Sequence, residues 1–208
     1  MDVINTVNIQ NIVILLVALL VSMSIHEAMH GFVAYWLGDD TAEKEGRLTF
    51  NPLVHIDLYV TILLPTALII MGLPPILAAK PVPFNPNRVR FEEFGVALVG
   101  ISGPLTNLVL AIACAPLLNI ATYGSIFYDF IGVMISINVL LFVFNMLPIP
   151  PLDGSRLLYA FSPDPLRRLL EKIESFGIVV IIVILILLMP IIGPFISSVS
   201  GAIINILV

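Results

Sequence analysis

Long apolar runs alternate with short polar stretches along this chain. The first run covers about Ile9 to Leu37 and stops at Gly38-Asp39-Asp40. Two more cover about Phe94 to Ile120 and Ile126 to Leu147, parted by a short turn near Thr122 to Ser125. Each is long enough to cross a bilayer as a helix, which takes about 20 apolar residues. The last run, Phe176 to Val208, is too long for one upright span. Pro190, Gly193 and Pro194 interrupt it, so the expected form is a span to about Ile192 followed by a surface or re-entrant helix. The second run, Ile56 to Ala79, is broken by Pro65, Gly72, Pro74 and Pro75 and leads into Lys80-Pro81-Val82-Pro83-Phe84-Asn85-Pro86. Prolines hold that stretch extended. Arg47-Leu48-Thr49-Phe50 has a short strand-like alternation.

Charge decides how the second run is threaded. Loop 39–55 carries two basic residues, 80–92 three and 148–175 four. If every run crossed the membrane, these would divide between its two sides. If Ile56–Ala79 instead dips in and returns on the same side, all nine Lys and Arg fall on one face. A bias of that strength in short loops is what the positive-inside rule describes. The expectation is therefore a re-entrant segment over 56–86 with an extended return. Irregular backbone is tolerated at membrane depth where protein buries it. The fold class is read as an all-α polytopic membrane protein. It has about four transmembrane helices plus a re-entrant segment with short extended strands. It reads as one domain over 1–208, with a core at about 9–160 and a C-terminal span and helix over 175–208.

Composition agrees. The chain has 208 residues, 59% hydrophobic and 11% charged, and a mean hydropathy of +1.10. No soluble domain has that balance, and no room is left for a sizeable water-soluble one. The net charge of −5 is spread over loops and argues against nucleic acid as a partner. Cys114 is the single cysteine and lies mid-span, which excludes a disulfide framework and a cysteine metal cluster. No basic region precedes the first apolar run, and its second half carries ionisable groups. It is read as a resident span and not as a signal peptide.

Those groups are the candidate chemistry. His26-Glu27-Ala28-Met29-His30 lies inside the first run. Ionisable residues in hydrocarbon are costly and generally functional. On a helix His26 and His30 share one face, so both imidazoles can grip one zinc ion with Glu27 beside it as general base. Zinc needs a third protein ligand and an open position for water. His55, Asp57, Asp129 and Asp153 are the candidates. Asp129 lies at the wrong end of its span. His55 and Asp57 lie in a loop on the correct side and stay possible. Asp153 is favoured because Pro148, Pro150 and Pro151 break the preceding helix and Gly154 permits a turn back toward the membrane interior.

Three motifs then carry a resemblance. They are the His26-to-His30 motif, Gly103-Pro104-Leu105-Thr106-Asn107, and Asn145-x-x-Pro148-x-x-x-x-Asp153-Gly154. In this order they resemble the site-2 protease family of intramembrane zinc metalloproteases. Gly46 to Pro52 and Ala79 to Pro83 look like a compact prokaryotic branch of it, without a PDZ or CBS domain. The resemblance implies that His26, His30 and Asp153 bind one zinc ion and that Glu27 is the catalytic base. It also implies that Asn145 and Asn107 work near the scissile peptide, where amide side chains can stabilise the oxyanion. The expected activity is metalloendopeptidase cleavage within transmembrane segments of membrane proteins, for regulated intramembrane proteolysis or membrane-peptide clearance. The expected partners are such substrates and the lipid bilayer. The expected place is a cell membrane, with the site toward the cytoplasm. The extended pieces near 47–50 and 80–84 are expected to hold an unwound substrate by edge pairing. A metal transporter would want polar residues at several depths, whereas here they gather at one level.

Overall fold

The computed structural model describes residues 8–57, 63 and 80–208. Among them run α1 (Ile9–Trp36), α2 (Thr41–Lys44), α3 (Glu92–Leu118), α4 (Ile126–Asn145), α5 (Gly154–Phe161), α6 (Asp164–Ser175) and α7 (Ile178–Leu207). Four described helices are long and apolar enough to cross a membrane: α1, α3, α4 and Val183–Leu207 of α7. Asn8 starts α1, its side chain accepting the Gln10 N–H at 3.0 Å. Ser125 starts α4 in the same way, accepting the Tyr128 N–H at 3.1 Å.

The packing follows rows of residues four apart. Ile14, Ala18, Ser22, His26, His30 and Ala34 are buried along α1. Val99, Gly103, Asn107, Ala111 and Ala115 are buried along α3, and Ile131, Ile135, Val139 and Val143 along α4. The rows on α1 and α3 consist largely of small residues. In lipid, where burying an apolar side chain brings little, small residues are what let helix backbones approach. That approach sets the two histidines of α1 against the backbone of α3. The larger apolar cluster, with Ala111, Ala115, Ile135, Val139 and Leu185, joins α3 and α4 to α7.

The ends of α1 and α4 and the start of α3 meet at one end of the bundle. Arg90 N–H donates to Leu37 O at 2.8 Å and Asn85 N–H to Asp39 Oδ2 at 2.6 Å. Arg167 pairs with Glu93 at 3.0 Å and Arg156 with Glu174 at 3.2 Å, docking α6 there. The loops and short helices gathered at this end carry all nine Lys and Arg of the chain.

Lys80 N–H donates to His55 O at 2.8 Å, so the flanks of the second apolar run lie side by side at this end. Most of the run itself, and with it the re-entrant reading of 56–86, lies outside the described residues.

Two expectations are corrected. The last apolar stretch is not divided: α7 runs unbroken through Pro190 and Pro194 for 30 residues, about 45 Å. In hydrocarbon a helix that stopped at a proline would expose several backbone groups with no partner, a larger penalty than the bonds a proline removes. The strand expectation also fails among the described residues, where 47–50 and 80–84 form no ladder. Pro81 and Pro83 have no N–H to offer one. The Arg47 guanidinium ties the two pieces together instead, donating to Val54 O and to Pro81 O.

Candidate metal centre

One turn separates His26 from His30 on α1, and their Nε2 atoms lie 3.0 Å apart. Asp153 is the last residue before α5. Its Oδ2 lies 3.1 Å from His26 Nε2 and 3.4 Å from His30 Nε2. Both histidines are buried, while the Asp153 side chain keeps 23% of its surface exposed. Two glycines admit Asp153. A Cβ on Gly154 would fall 2.3 Å from Met146 O, and one on Gly100 would fall 2.9 Å from the Arg156 Cβ. α5 therefore reaches the site only because both positions lack a side chain.

The outer nitrogens fix how the rings are used. His30 Nδ1 faces Val99 O at 2.7 Å, and a main-chain carbonyl only accepts. Ser102 Oγ donates to the same carbonyl at 2.6 Å. His26 Nδ1 faces Asn107 Oδ1 at 2.5 Å. Each Nδ1 is therefore the protonated nitrogen, and each Nε2 turns a lone pair inward. Two lone pairs and a carboxylate oxygen within 3.4 Å repel one another unless a cation lies among them. The three edges of 3.0, 3.1 and 3.4 Å match the spacing of about 3.3 Å between ligands held tetrahedrally at about 2.0–2.1 Å from zinc. Gly103 provides the remaining room: a Cβ there would fall 2.4 Å from His30 Nε2 and 2.6 Å from His26 Nε2. The residues fit zinc in number, chemistry and spacing.

Glu27 accepts the Val82 N–H at 3.0 Å. That N–H is thereby directed at the carboxylate and not outward to a partner strand, contrary to the edge-pairing expectation at this position. Gly31 admits the contact, since a Cβ there would fall 3.0 Å from Val82 Cγ1 and 2.9 Å from Leu48 Cδ2.

The other sequence candidates lie elsewhere. Asp129 is in the first turn of α4, at the opposite end of the bundle. His55 is buried, donating from Nε2 to Thr49 O at 2.8 Å. Neither these two nor Asp57 belongs to the cluster of His26, His30 and Asp153. Asn145, in the last turn of α4, donates to Leu141 O at 3.0 Å. Asn107 sits behind His26, on the side away from Asp153, with its Nδ2 donating to Asn138 Oδ1 at 2.8 Å. The sequence reading does not single out Asn138. A lone asparagine in an apolar helix reads as a helix–helix hydrogen bond, and its partners lie 31 and 116 residues away.

Comparison with known proteins points the same way. The model of Peptidase family M50 matches residues 118–189. Proteins bearing the name "Putative zinc metalloprotease" are among the relatives. YwhC of Bacillus subtilis is 37% identical over 178 residues, covering 81% of this chain and 78% of its own. Rip2 of Mycolicibacterium smegmatis is 28% identical, covering 79% of this chain and 63% of its own. The chain thus spans less than two thirds of Rip2. MJ0611 of Methanocaldococcus jannaschii is 46% identical over 61 residues, 29% of this chain and 31% of its own. No solved structure matches.

Proposed function

The chain belongs to peptidase family M50, the site-2 protease family, and is a zinc metalloprotease; from that premise we propose that it hydrolyses peptide bonds within the transmembrane segments of other membrane proteins. The observation that carries this reading is the convergence of Asp153, to within 3.4 Å, on His26 and His30 of a helix apolar enough to span a bilayer. These three residues would hold one zinc ion, which would supply Lewis acidity at the scissile carbonyl and the attacking water.

The remaining steps belong to the chain's own side chains. Glu27 takes the proton of the attacking water and passes it to the leaving amine. The Val82 N–H, donating at 3.0 Å, orients the Glu27 carboxylate for this. Asn145 has a second amide N–H besides the one on Leu141 O, and donates it to the charge building on the substrate oxygen. Asn107 acts differently, since its amide is committed to His26 and Asn138; it orients a ligand and does not touch substrate. The partly exposed edge of Asp153 is the side on which a substrate segment enters.

The end of the bundle that carries the site also carries all nine Lys and Arg. In a cell membrane that bias supports a site that faces the cytoplasm. The test is cleavage of a model transmembrane substrate by the purified protein, with zinc content measured on the same samples. Glu27→Gln is expected to keep its zinc and lose about 10²–10⁴-fold in rate. Undiminished cleavage by a zinc-loaded Glu27→Gln would remove the protease mechanism.

A further inference from the structure

A buried chain of amides runs behind the metal ligands. Asn138 of α4 and Asn107 of α3 are fully buried, as is Ser22 of α1. Asn138 Nδ2 lies 2.8 Å from Met134 O and 2.8 Å from Ser22 Oγ. Ser22 Oγ turns its own hydrogen toward Met134 Sδ at 3.9 Å. Asn138 Oδ1 accepts from Asn107 Nδ2 at 2.8 Å, and Asn107 Oδ1 meets His26 Nδ1 at 2.5 Å.

One main-chain carbonyl determines the direction of the whole chain. Met134 O can only accept, so Asn138 must turn its NH₂ to it. The Asn138 oxygen then faces Asn107, which must turn its own NH₂ toward Asn138. The Asn107 oxygen is left facing His26, so the imidazole proton must sit on Nδ1 and Nε2 must carry the lone pair. A second contact of Asn107 Nδ2, to Ser22 O, is 3.5 Å long and at the limit of hydrogen bonding. The 2.8 Å bond from Asn138 is therefore the one that fixes the Asn107 amide.

We propose that Asn138 is a positioning residue for the metal centre: through Asn107 it sets the ring tautomer of His26 so that Nε2 is available as a ligand. The inference rests on the reading of His26, His30 and Asp153 as zinc ligands. His30 needs no such relay, because Val99 O acts on it directly. The two imidazoles are thus oriented by different means, one by a backbone carbonyl and one through three helices. Without Asn138, the Asn107 amide can turn over and present NH₂ to His26 Nδ1. The proton then moves to Nε2 and the ligand is lost.

The test is zinc affinity of the purified full chain by chelator competition, with thermal unfolding in detergent as the check on folding. Asn138→Leu is expected to weaken zinc binding about 10–100-fold, the usual effect of losing an outer-shell partner. Asn107→Asp in that background is expected to restore affinity to within a few-fold of wild type. A carboxylate accepts from Nδ1 whichever way it turns, so it needs no Asn138 to orient it. Asn107→Asp alone is expected to bind more weakly than the double variant, because the Asn138 oxygen opposes the carboxylate. A loss of packing alone would not be reversed by a second substitution. Asn138→Leu binding zinc as tightly as wild type would overturn the proposal. So would a double variant no better than Asn138→Leu. Asp153→Ala, run alongside, separates the two layers: if it keeps zinc, the ligand reading falls whatever the relay does.

Discussion

The two halves of α1 share a helix but not an environment. In the first half Ile9 is 77% exposed, Val13 52% and Leu16 48%. In the second half His26, Ala28, His30 and Ala34 are buried under α3 and the loops. Large apolar side chains thus point outward and small or polar ones inward, the reverse of a soluble protein. Lipid receives Leu16 as well as protein would, so its apolarity adds little to packing. A histidine or serine has no partner in lipid and must find one across a helix interface. Where the polar residues lie is therefore where this chain is held together.

The largest effect belongs to Gly103→Ala. The added methyl would lie 2.4–2.6 Å from the Nε2 atoms of His30 and His26, in the room the proposed zinc would take. Zinc affinity should fall by more than the ~100-fold that outer-shell substitutions typically cause. Near-normal affinity in a chelator competition would show that the backbone at 103 does not wall the site. A smaller effect separates two neighbours in the other half of α1. Ala18 is fully buried against Met134 and Ile137. Ala18→Leu should overpack that contact and destabilise the protein by about 1–3 kcal/mol. Leu16→Ala, on the lipid-facing side, should stay within about 0.5 kcal/mol of wild type. Denaturant unfolding in detergent measures both, and equal losses would erase the distinction between the two faces.

What the sequence made legible follows from distance along the chain. The four-residue spacing of His26 and His30 is local, and any helix through it puts both rings on one face. The turn that carries Asp153 toward α1 is readable from Pro148, Pro150, Pro151 and Gly154, all within five residues of it. Asn138 was not readable, because its meaning lies in Met134 O, Ser22 and Asn107 on three helices. Gly103 is part of a motif in the sequence; that a Cβ there would meet both Nε2 atoms emerges only once α1 and α3 are placed together. The two misreadings came from rules of aqueous proteins. Pro190 and Pro194 read as breaks in the sequence, but a helix in lipid has no solvent to take up its freed backbone groups. The alternation at Arg47 to Phe50 suggested a strand, but its neighbour segment has prolines where a ladder needs N–H donors.

Three side chains sharing one ion are the centre of the proposed function, and the most direct test is zinc bound per chain in purified wild type beside Asp153→Ala. Zinc held by the wild type and lost from Asp153→Ala, with both proteins unfolding at similar temperatures, is the predicted result. A wild type that holds no zinc, or an Asp153→Ala that holds it equally well, contradicts it.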